Sequence, residues 1–273
     1  MVMATQTFPA TGFKPLATGQ PADQAQGLRQ LFAASRVRFV ALVHNPHVAF
    51  SGIAMERLTS AFAQQGLRTL VVDAADSAAA AAELAAIELT ACVEPLSRHV
   101  CYLAARGLPM RYLDARGSTA AFLGAAADAA PQAEVVLVHA SAMELWRLFT
   151  ARSPRPVLLA ADHPDSLTHA YASMKLLSQR LGTPAFDLLI AADPASPRMA
   201  RIADRLADTA DRFLGVALHD WTAVDPACQP EQAVTAPLRR LALAQLRSAE
   251  EPEISMTSQP TVLGRTAAAW HSN

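Results

Sequence analysis

The stretch from Arg38 to Asp76 reads RFVALVHNPHVAFSGIAMERLTSAFAQQGLRTLVVDAAD, and it decides the fold. Its first part, Phe39–Val43, is an apolar run too short for a helix, and Asn45-Pro46 ends it with a turn. Apolar residues then recur at steps of three and four, which predicts a helix. Leu70–Val72 is a second buried strand. A strand, helix and strand of this length predict a right-handed crossover between parallel strands.

The loop that follows the first strand stands where nucleotide-binding proteins bind phosphate. Such loops carry glycines whose N–H groups surround phosphate oxygens, together with a lysine and a Ser or Thr. Here the corresponding residues are Pro46, His47, Val48, Ala49, Phe50, Ser51 and Gly52. They include no lysine and one glycine, and Pro46 has no N–H to donate. The sequence therefore predicts a degenerate phosphate loop in which ATP binding is lost, with no cofactor expected.

Composition limits the classes of protein to which the chain can belong. It has 273 residues, of which 52% are hydrophobic and 17% charged, which is enough for one large α/β core. A net charge of −1 gives no electrostatic footprint for nucleic acid. The cysteines, Cys92, Cys101 and Cys228, lack metal or redox spacing and indicate a cytoplasmic protein. We expect no secretory signal and no apolar run that spans a membrane.

Four regions are predicted along the chain. Residues 1–20 lack periodicity and form a disordered lead-in, and 21–34 form a short helix with a narrow apolar stripe. Residues 36–248 form the α/β domain, and 249–273 form a flexible tail. The helix of residues 21–34 either docks on the domain or is presented to a partner.

The α/β domain is predicted to hold a mainly parallel sheet of about seven or eight strands with helices on both faces. Three predicted elements matter below: an alanine-rich helix from Asp76 to about Ala91, a strand at Met110–Asp114 and a strand at Phe213–Leu218. Asp73 and Asp76, which follow the second strand, are expected to be solvated at the surface.

Two motifs carry a resemblance to a known family. The segment D-Q-A-x-x-L-R, just ahead of the first strand, resembles the activator helix of the FlhG or FleN flagellar-number regulators, a branch of the MinD/ParA ATPases. The matching residues are Asp23, Gln24, Ala25, Leu28 and Arg29. A second segment resembles the family signature T-x-P-E-x-x-S-x-x-D-A-Y-x-x-x-K-x-L. It is preserved at Pro164, Asp165, Ser166, Leu167, Thr168, Ala170, Tyr171, Lys175 and Leu177.

The resemblance implies a MinD-like P-loop NTPase fold and a regulator of flagellar number or placement. In the family, the activator helix stimulates an FlhF-like GTPase, so that partner would be the enzyme. Flagellar basal-body or transcription-regulator proteins are further candidate partners, at the cell pole. Family members bind ATP and Mg²⁺, but His139 replaces the aspartate of the family's D-x-x-G motif in this chain. The alternatives are an active MinD-like ATPase with an atypical loop and an accessory protein of another polar machine.

Polar residues at predicted strand ends offer a different chemistry. Histidines and carboxylates cluster at these ends: His44, His47, Asp73, His139, Asp162, His163, His219 and Asp220. Strand ends of an open α/β fold converge on one edge of the sheet, where ligands bind, and the candidate site there consists of His139, Asp162, His163, His219 and Asp220. They could form an acid/base pair, with His139 and Asp162 the pair to test, or the site of a metallohydrolase. The simpler explanation is that polar residues cap strands at the solvent edge. No metal-ligand spacing is present, so no metal is assigned.

The last predicted helix, Thr235–Arg247, has a leucine side formed by Leu238, Leu241 and Leu246 opposite several arginines. Such a helix suits either a closing position on the sheet or, as the less favoured alternative, contact with a membrane through residues 238–247.

Overall fold

The structure is a computed structural model that describes residues 37–193, 195–229 and 233–249. The predictions for the lead-in, the helix of residues 21–34 and the tail beyond residue 249 lie outside these residues.

Eight strands and six α-helices follow one another along the described part of the chain. The strands are β1 (Arg38–Val43), β2 (Thr69–Asp73), β3 (Glu94–Pro95), β4 (Val100–Ala104), β5 (Val135–Ala140), β6 (Val157–Ala161), β7 (Ala185–Ala191) and β8 (Ala217–Val224). The helices are α1 (Ser51–Ala63), α2 (Ala121–Ala129), α3 (Ala142–Leu148), α4 (Pro164–Leu181), α5 (Arg198–Leu214) and α6 (Ala236–Ser248).

The strands form one sheet in the order β3-β4-β2-β5-β1-β6-β7-β8. All neighbouring strands are parallel except β3 and β4, which pair antiparallel at one edge. β1 lies in the interior, with all six of its residues in register with β5 from Arg38↔Val135 to Val43↔Ala140. The predicted fold class, a mainly parallel sheet with helices on both faces, is confirmed.

Side chains alternate between the two faces of β1, as the period of a strand requires. Val40 and Leu42 pack in a core under α1 and α6. Ala41 and Val43 point to the opposite face, into a second core under α2, α3, α4 and α5. Because both faces of the central strands are covered, their sequences read as continuous apolar runs.

Three predicted elements are wrong. The alanine-rich region after Asp76 contains turns and the short 3₁₀ helices Glu83–Ala86 and Thr90–Cys92 instead of an α-helix. Alanine favours a helix, but isolated helices need a packed apolar stripe to persist, and here Leu84 and Ile87 remain exposed.

The other two errors concern strands near the edges of the sheet. Met110 lies in a 3₁₀ helix, Pro109–Tyr112, and the strand of this region is β4, which pairs with β2. Phe213 belongs to the end of α5, where it is 69% exposed, and Gly215 ends that helix with a φ of 64° before β8 begins.

The leucine side of α6 is buried against the sheet. Leu238, Leu241 and Leu246 lie in the same core as Val40 and Leu42. The closing position on the sheet is therefore the one that the structure shows, and these leucines are not available to a membrane in this conformation. Among the described residues, no helix is both long and apolar enough to cross a bilayer.

A buried carboxylate ties α6 to the amino ends of the strands. Asp187 in β7 is fully buried and accepts hydrogen bonds from Arg155 Nε at 3.0 Å and Gln245 Nε2 at 2.6 Å. His219 Nδ1 lies 3.2 Å from its other oxygen. Arg155 also donates to the Ala244 carbonyl at 2.9 Å. A buried charge is tolerated only when it is paired in this way, so the contacts fix the position of α6.

Replacing the Asp187 carboxylate should lower the stability of the folded chain. We expect Asp187→Ala to lower the free energy of unfolding by about 3–5 kcal/mol, because Arg155 loses its buried partner. Chemical denaturation measures the change. Asp220→Ala is the matched control, since Asp220 pairs with the 61% exposed side chain of Arg240; it should cost about 1 kcal/mol or less. Equal effects of the two substitutions would contradict this role of Asp187.

Candidate functional site

The loop between β1 and α1 lies at the carboxyl edge of the sheet and folds back on Asn45. The N–H of Val48 donates to the Asn45 carbonyl at 3.0 Å, and the N–H of His47 donates to Asn45 Oδ1 at 3.1 Å. Phe50 caps α1 without a side-chain hydrogen bond and is 55% exposed. Two N–H groups of the predicted phosphate loop are thus used inside the loop, and Pro46 has none.

The side chain of Asn45 connects three elements. Its amide nitrogen is 2.8 Å from the Leu159 carbonyl in β6, 2.9 Å from the Ser166 carbonyl and 3.0 Å from Ser166 Oγ in α4. The Ser166 hydroxyl also accepts the N–H of Ala161 at 2.9 Å. Both Asn45 and Ser166 are buried, so these hydrogen bonds replace lost contacts with water.

The side chains of Asp73, His139 and His44 form a buried series of hydrogen bonds across the carboxyl ends of β2, β5 and β1. His139 in β5 places Nδ1 2.8 Å from Asp73 Oδ1, and its Nε2 lies 3.2 Å from Nδ1 of His44. The Tyr102 hydroxyl donates to the second Asp73 oxygen at 3.3 Å. With Asp73 as acceptor, we assign the proton of His139 to Nδ1, so that Nε2 accepts from His44. This tautomer leaves Nε2 of His44 without a proton.

The surroundings favour the neutral form of His44. Burial lowers the pKa of His44 from 6.5 to about 4, and the neighbouring His139 acts in the same direction. Asp73 and Asp76 oppose this shift without overcoming it. Burial also lowers the pKa of His169. At neutral pH, His44 therefore carries no charge and can accept a hydrogen bond.

The predicted edge site is not assembled as one group. His139 lies with Asp73 and His44, whereas Asp162, its predicted partner, pairs with Arg198 Nη1 at 3.1 Å. His163 accepts the N–H of Asp165 at 3.3 Å as the N-cap of α4.

The two predicted members from β8 lie at the other edge of the sheet. Asp220 is in register with Asp187 near the amino end of β7, because β8 continues as far as Val224. His219 contacts Asp187, and Asp220 pairs with Arg240 at 2.7 Å. Within the described ranges, no group of three or more His, Cys, Asp or Glu side chains could hold a metal ion.

Two site residues differ from expectation. Asp73 is 7% exposed and bonded to two side chains, so the expectation of surface solvation for it is wrong. Asn45 was assigned only to a turn, since the sequence places no signal on its contacts with β6 and α4. The positions of His44, Asp73 and His139 at the ends of neighbouring strands did follow from the sequence.

Comparisons with known proteins give the fold. No family model matches the chain, and no match is found among curated proteins. Cobyrinic acid a,c-diamide synthase from Mycobacterium smegmatis is similar in structure, with 17% identity over 77% of this chain and 94% of the synthase and a TM-score of 0.51. The chain has the ParA/MinD-type P-loop ATPase fold.

Two further neighbours bear the names of that group. A ParA family ATPase from Chlorobium tepidum TLS has 12% identity over 79% of this chain and 91% of its own, with a TM-score of 0.46. MinD from Aquifex aeolicus, solved in complex with MinC, has 8% identity over 78% of this chain and 92% of its own, with a TM-score of 0.47.

The prediction that no cofactor is expected is corrected by these comparisons. The Mycobacterium smegmatis synthase is also solved with bound ADP and magnesium, at 18% identity, and with a bound ATP analogue and magnesium. Nucleotide and Mg²⁺ therefore occur on this fold. The missing lysine of residues 46–52 does not by itself establish a chain without a cofactor.

The lowered pKa of His44 predicts how the stability of the fold depends on pH. The unfolded chain binds a proton at His44 below about pH 6.5, whereas the folded chain resists it down to about pH 4. We therefore expect the free energy of unfolding to fall as the pH drops through this interval, by about 3 kcal/mol from His44 alone. His44→Asn should remove that part of the pH dependence, as measured by urea denaturation at a series of pH values.

His47→Asn is the control, because His47 is exposed in the same loop. This variant should keep the fall in stability between about pH 6.5 and pH 4, because His44 is still present. A His44→Asn variant whose stability falls with acid as steeply as that of the unmodified chain would contradict the assignment of a buried, neutral His44.

Proposed function

We propose that this chain is a ParA/MinD-type regulator of flagellar number or placement that acts by protein contact. The segment containing Asp23, Gln24, Ala25, Leu28 and Arg29 stimulates the GTPase of an FlhF-like partner. The domain that follows carries this segment and positions the partner.

The observation that carries the proposal is the D-Q-A-x-x-L-R motif immediately before a ParA/MinD-type sheet. Arg29 precedes Arg38, the first residue of β1, by only 38 − 29 = 9 residues. The position of the motif at the start of the central strand of this fold is the arrangement that the activator helix has in the family that the sequence resembles.

The second motif supports the resemblance through the fold. The segment starting at Pro164 forms the first turns of α4, with Pro164 at the first helical position. Ser166 bonds to Asn45, and Ala170 and Leu177 are buried in the core. These residues therefore have structural reasons to be present, and they fix α4 against the end of β1.

A second candidate function is ATP hydrolysis, and the hydrogen-bonded chain from Asp73 through His139 to His44 favours it. These hydrogen-bonded side chains lie beside the loop that connects β1 to α1, and neutral His44 can accept a hydrogen bond from a water molecule there. ATP hydrolysis by the full chain alone, lost in Asp73→Asn, would favour this candidate. The proposed regulatory function requires neither ATP hydrolysis by the chain nor an effect of Asp73→Asn.

The regulatory proposal predicts a gain in the partner's turnover. GTP hydrolysis by the FlhF-like protein should be faster in the presence of the full chain, because the activator segment contributes to the partner's site. We expect a Gln24→Ala, Leu28→Ala double variant to remove the acceleration, as measured by phosphate release. Gln30→Ala is a control substitution next to the motif and should retain it. If neither the full chain nor the control changes turnover, the flagellar proposal fails.

A further inference from the structure

A groove with three arginines lies between α4 and α5 at the carboxyl edge of the sheet. It encloses a cavity of about 330 Å³. Arg198, Arg201 and Arg205 line one side. The rest of the lining consists of the apolar residues Pro164, Leu167 and Ile202 together with Asp162 and His163. The residues that line the groove belong to α4, α5 and the connection between β6 and α4, and none of them is part of the D-Q-A-x-x-L-R motif in the sequence.

The arginines form a row along α5. Their spacing of three and four residues brings them to the same side of the helix. At about 1.5 Å per residue, the row extends for about 10 Å. Ile202 lies between Arg201 and Arg205 in sequence and is 8% exposed, so its side chain belongs to the core beneath the row.

Most of the positive charge of this row is not neutralised. Arg198 pairs with Asp162, but both side chains are substantially exposed, at 67% and 36%, and such a pair is weak. Within the described residues, Arg201 and Arg205 have neither a hydrogen bond nor an ion pair from their side chains. The groove therefore presents two unpaired guanidinium groups, and a third that a competing carboxylate can capture.

The length of the row selects the kind of ligand. One phosphate group spans about 3 Å and would engage adjacent guanidinium groups through parallel N–H donors. A row of about 10 Å instead matches several carboxylates spaced along a peptide. The apolar side of the groove, with Leu167, provides a place for an apolar side chain of the same peptide.

The charge around the row does not suit nucleic acid. Asp204 and Asp208 interrupt the basic surface of α5, and Asp162 and Asp165 lie on the α4 side. A chain of net charge −1 lacks the continuous positive surface that phosphate backbones require. We propose that the groove between α4 and α5 binds an acidic segment of a protein partner, with Asp or Glu residues at helical spacing and an apolar residue among them.

The experiment uses the full chain and a fluorescent peptide. The peptide is helical and carries glutamates at the spacing of Arg198, Arg201 and Arg205, with one leucine on the same side. Fluorescence anisotropy at about 50 mM NaCl should show saturable binding that weakens as salt screens the charges. A matched peptide with glutamine in place of glutamate should bind at least about tenfold more weakly.

Charge reversal locates the site. Arg201→Glu and Arg205→Glu should each weaken binding about tenfold or more, because each turns an attraction into a repulsion. Arg212→Glu is the matched control, since Arg212 is an exposed arginine of the same helix but does not line the groove. It should bind the peptide as the unmodified chain does, and circular dichroism should show the same helix content in all variants.

Several results would overturn the proposal. One is no binding of the acidic peptide to the unmodified chain, and another is binding to Arg201→Glu and Arg205→Glu as tight as to Arg212→Glu. A third is binding of inorganic phosphate or duplex DNA that depends on these arginines while the peptide does not bind. No part of this experiment uses the FlhF-like protein. A negative result therefore rejects only the peptide groove, and the regulatory proposal is tested separately by GTP hydrolysis.

Discussion

Two consecutive residues at the end of β1, His44 and Asn45, hold the carboxyl edge of the sheet together. The N–H of His44 donates to the Ala140 carbonyl at 2.8 Å and so continues the pairing of β1 with β5. The Asn45 amide crosses to β6 and to α4 on the other side. Because β1 is the strand between the two halves of the sheet, these contacts determine how the loops at this edge are placed. An unsatisfied amide here would cost about 1–3 kcal/mol for each lost partner.

The same contacts determine what the edge offers to other molecules. Asn45 holds the start of the loop between β1 and α1, while His44 directs its ring to His139 and Asp73. The edge therefore contains a buried polar chain and, farther along the sheet, the open arginine groove of α5. The first fixes the ends of β1, β2 and β5 relative to one another, and the second is the surface for which we propose an acidic partner.

The sequence predicted the centre of the fold better than its edges. β1, β5, β6 and β7 are buried on both faces, so their apolar runs are unambiguous. β4 and β8 are less buried, and their polar and aromatic residues interrupt the apolar pattern by which a strand is recognised in a sequence. The α-helix predicted after Asp76 is absent for a related reason: helix propensity without a buried apolar stripe does not specify a helix.

The sequence predicted where the candidate site lies but not which of its side chains contact one another. Strand ends of a parallel sheet meet at one edge, so His44, Asp73 and His139 could be placed near one another. Which side chains would bond depended on register, and this separated His219 and Asp220 from that edge. Asp187 was hidden in an apolar strand, since only the folded chain brings Arg155 and Gln245 to it.

If residues 23–29 form the proposed contact with the FlhF-like partner, hydrogen exchange of the full chain should report it. Mass spectrometry compares the exchange with and without the GTP-loaded partner. The amides of residues 23–29 should exchange more slowly when the partner is added, while those of β1 and β5 stay unchanged. Binding of the partner without any change in exchange over residues 23–29 would rule out this contact.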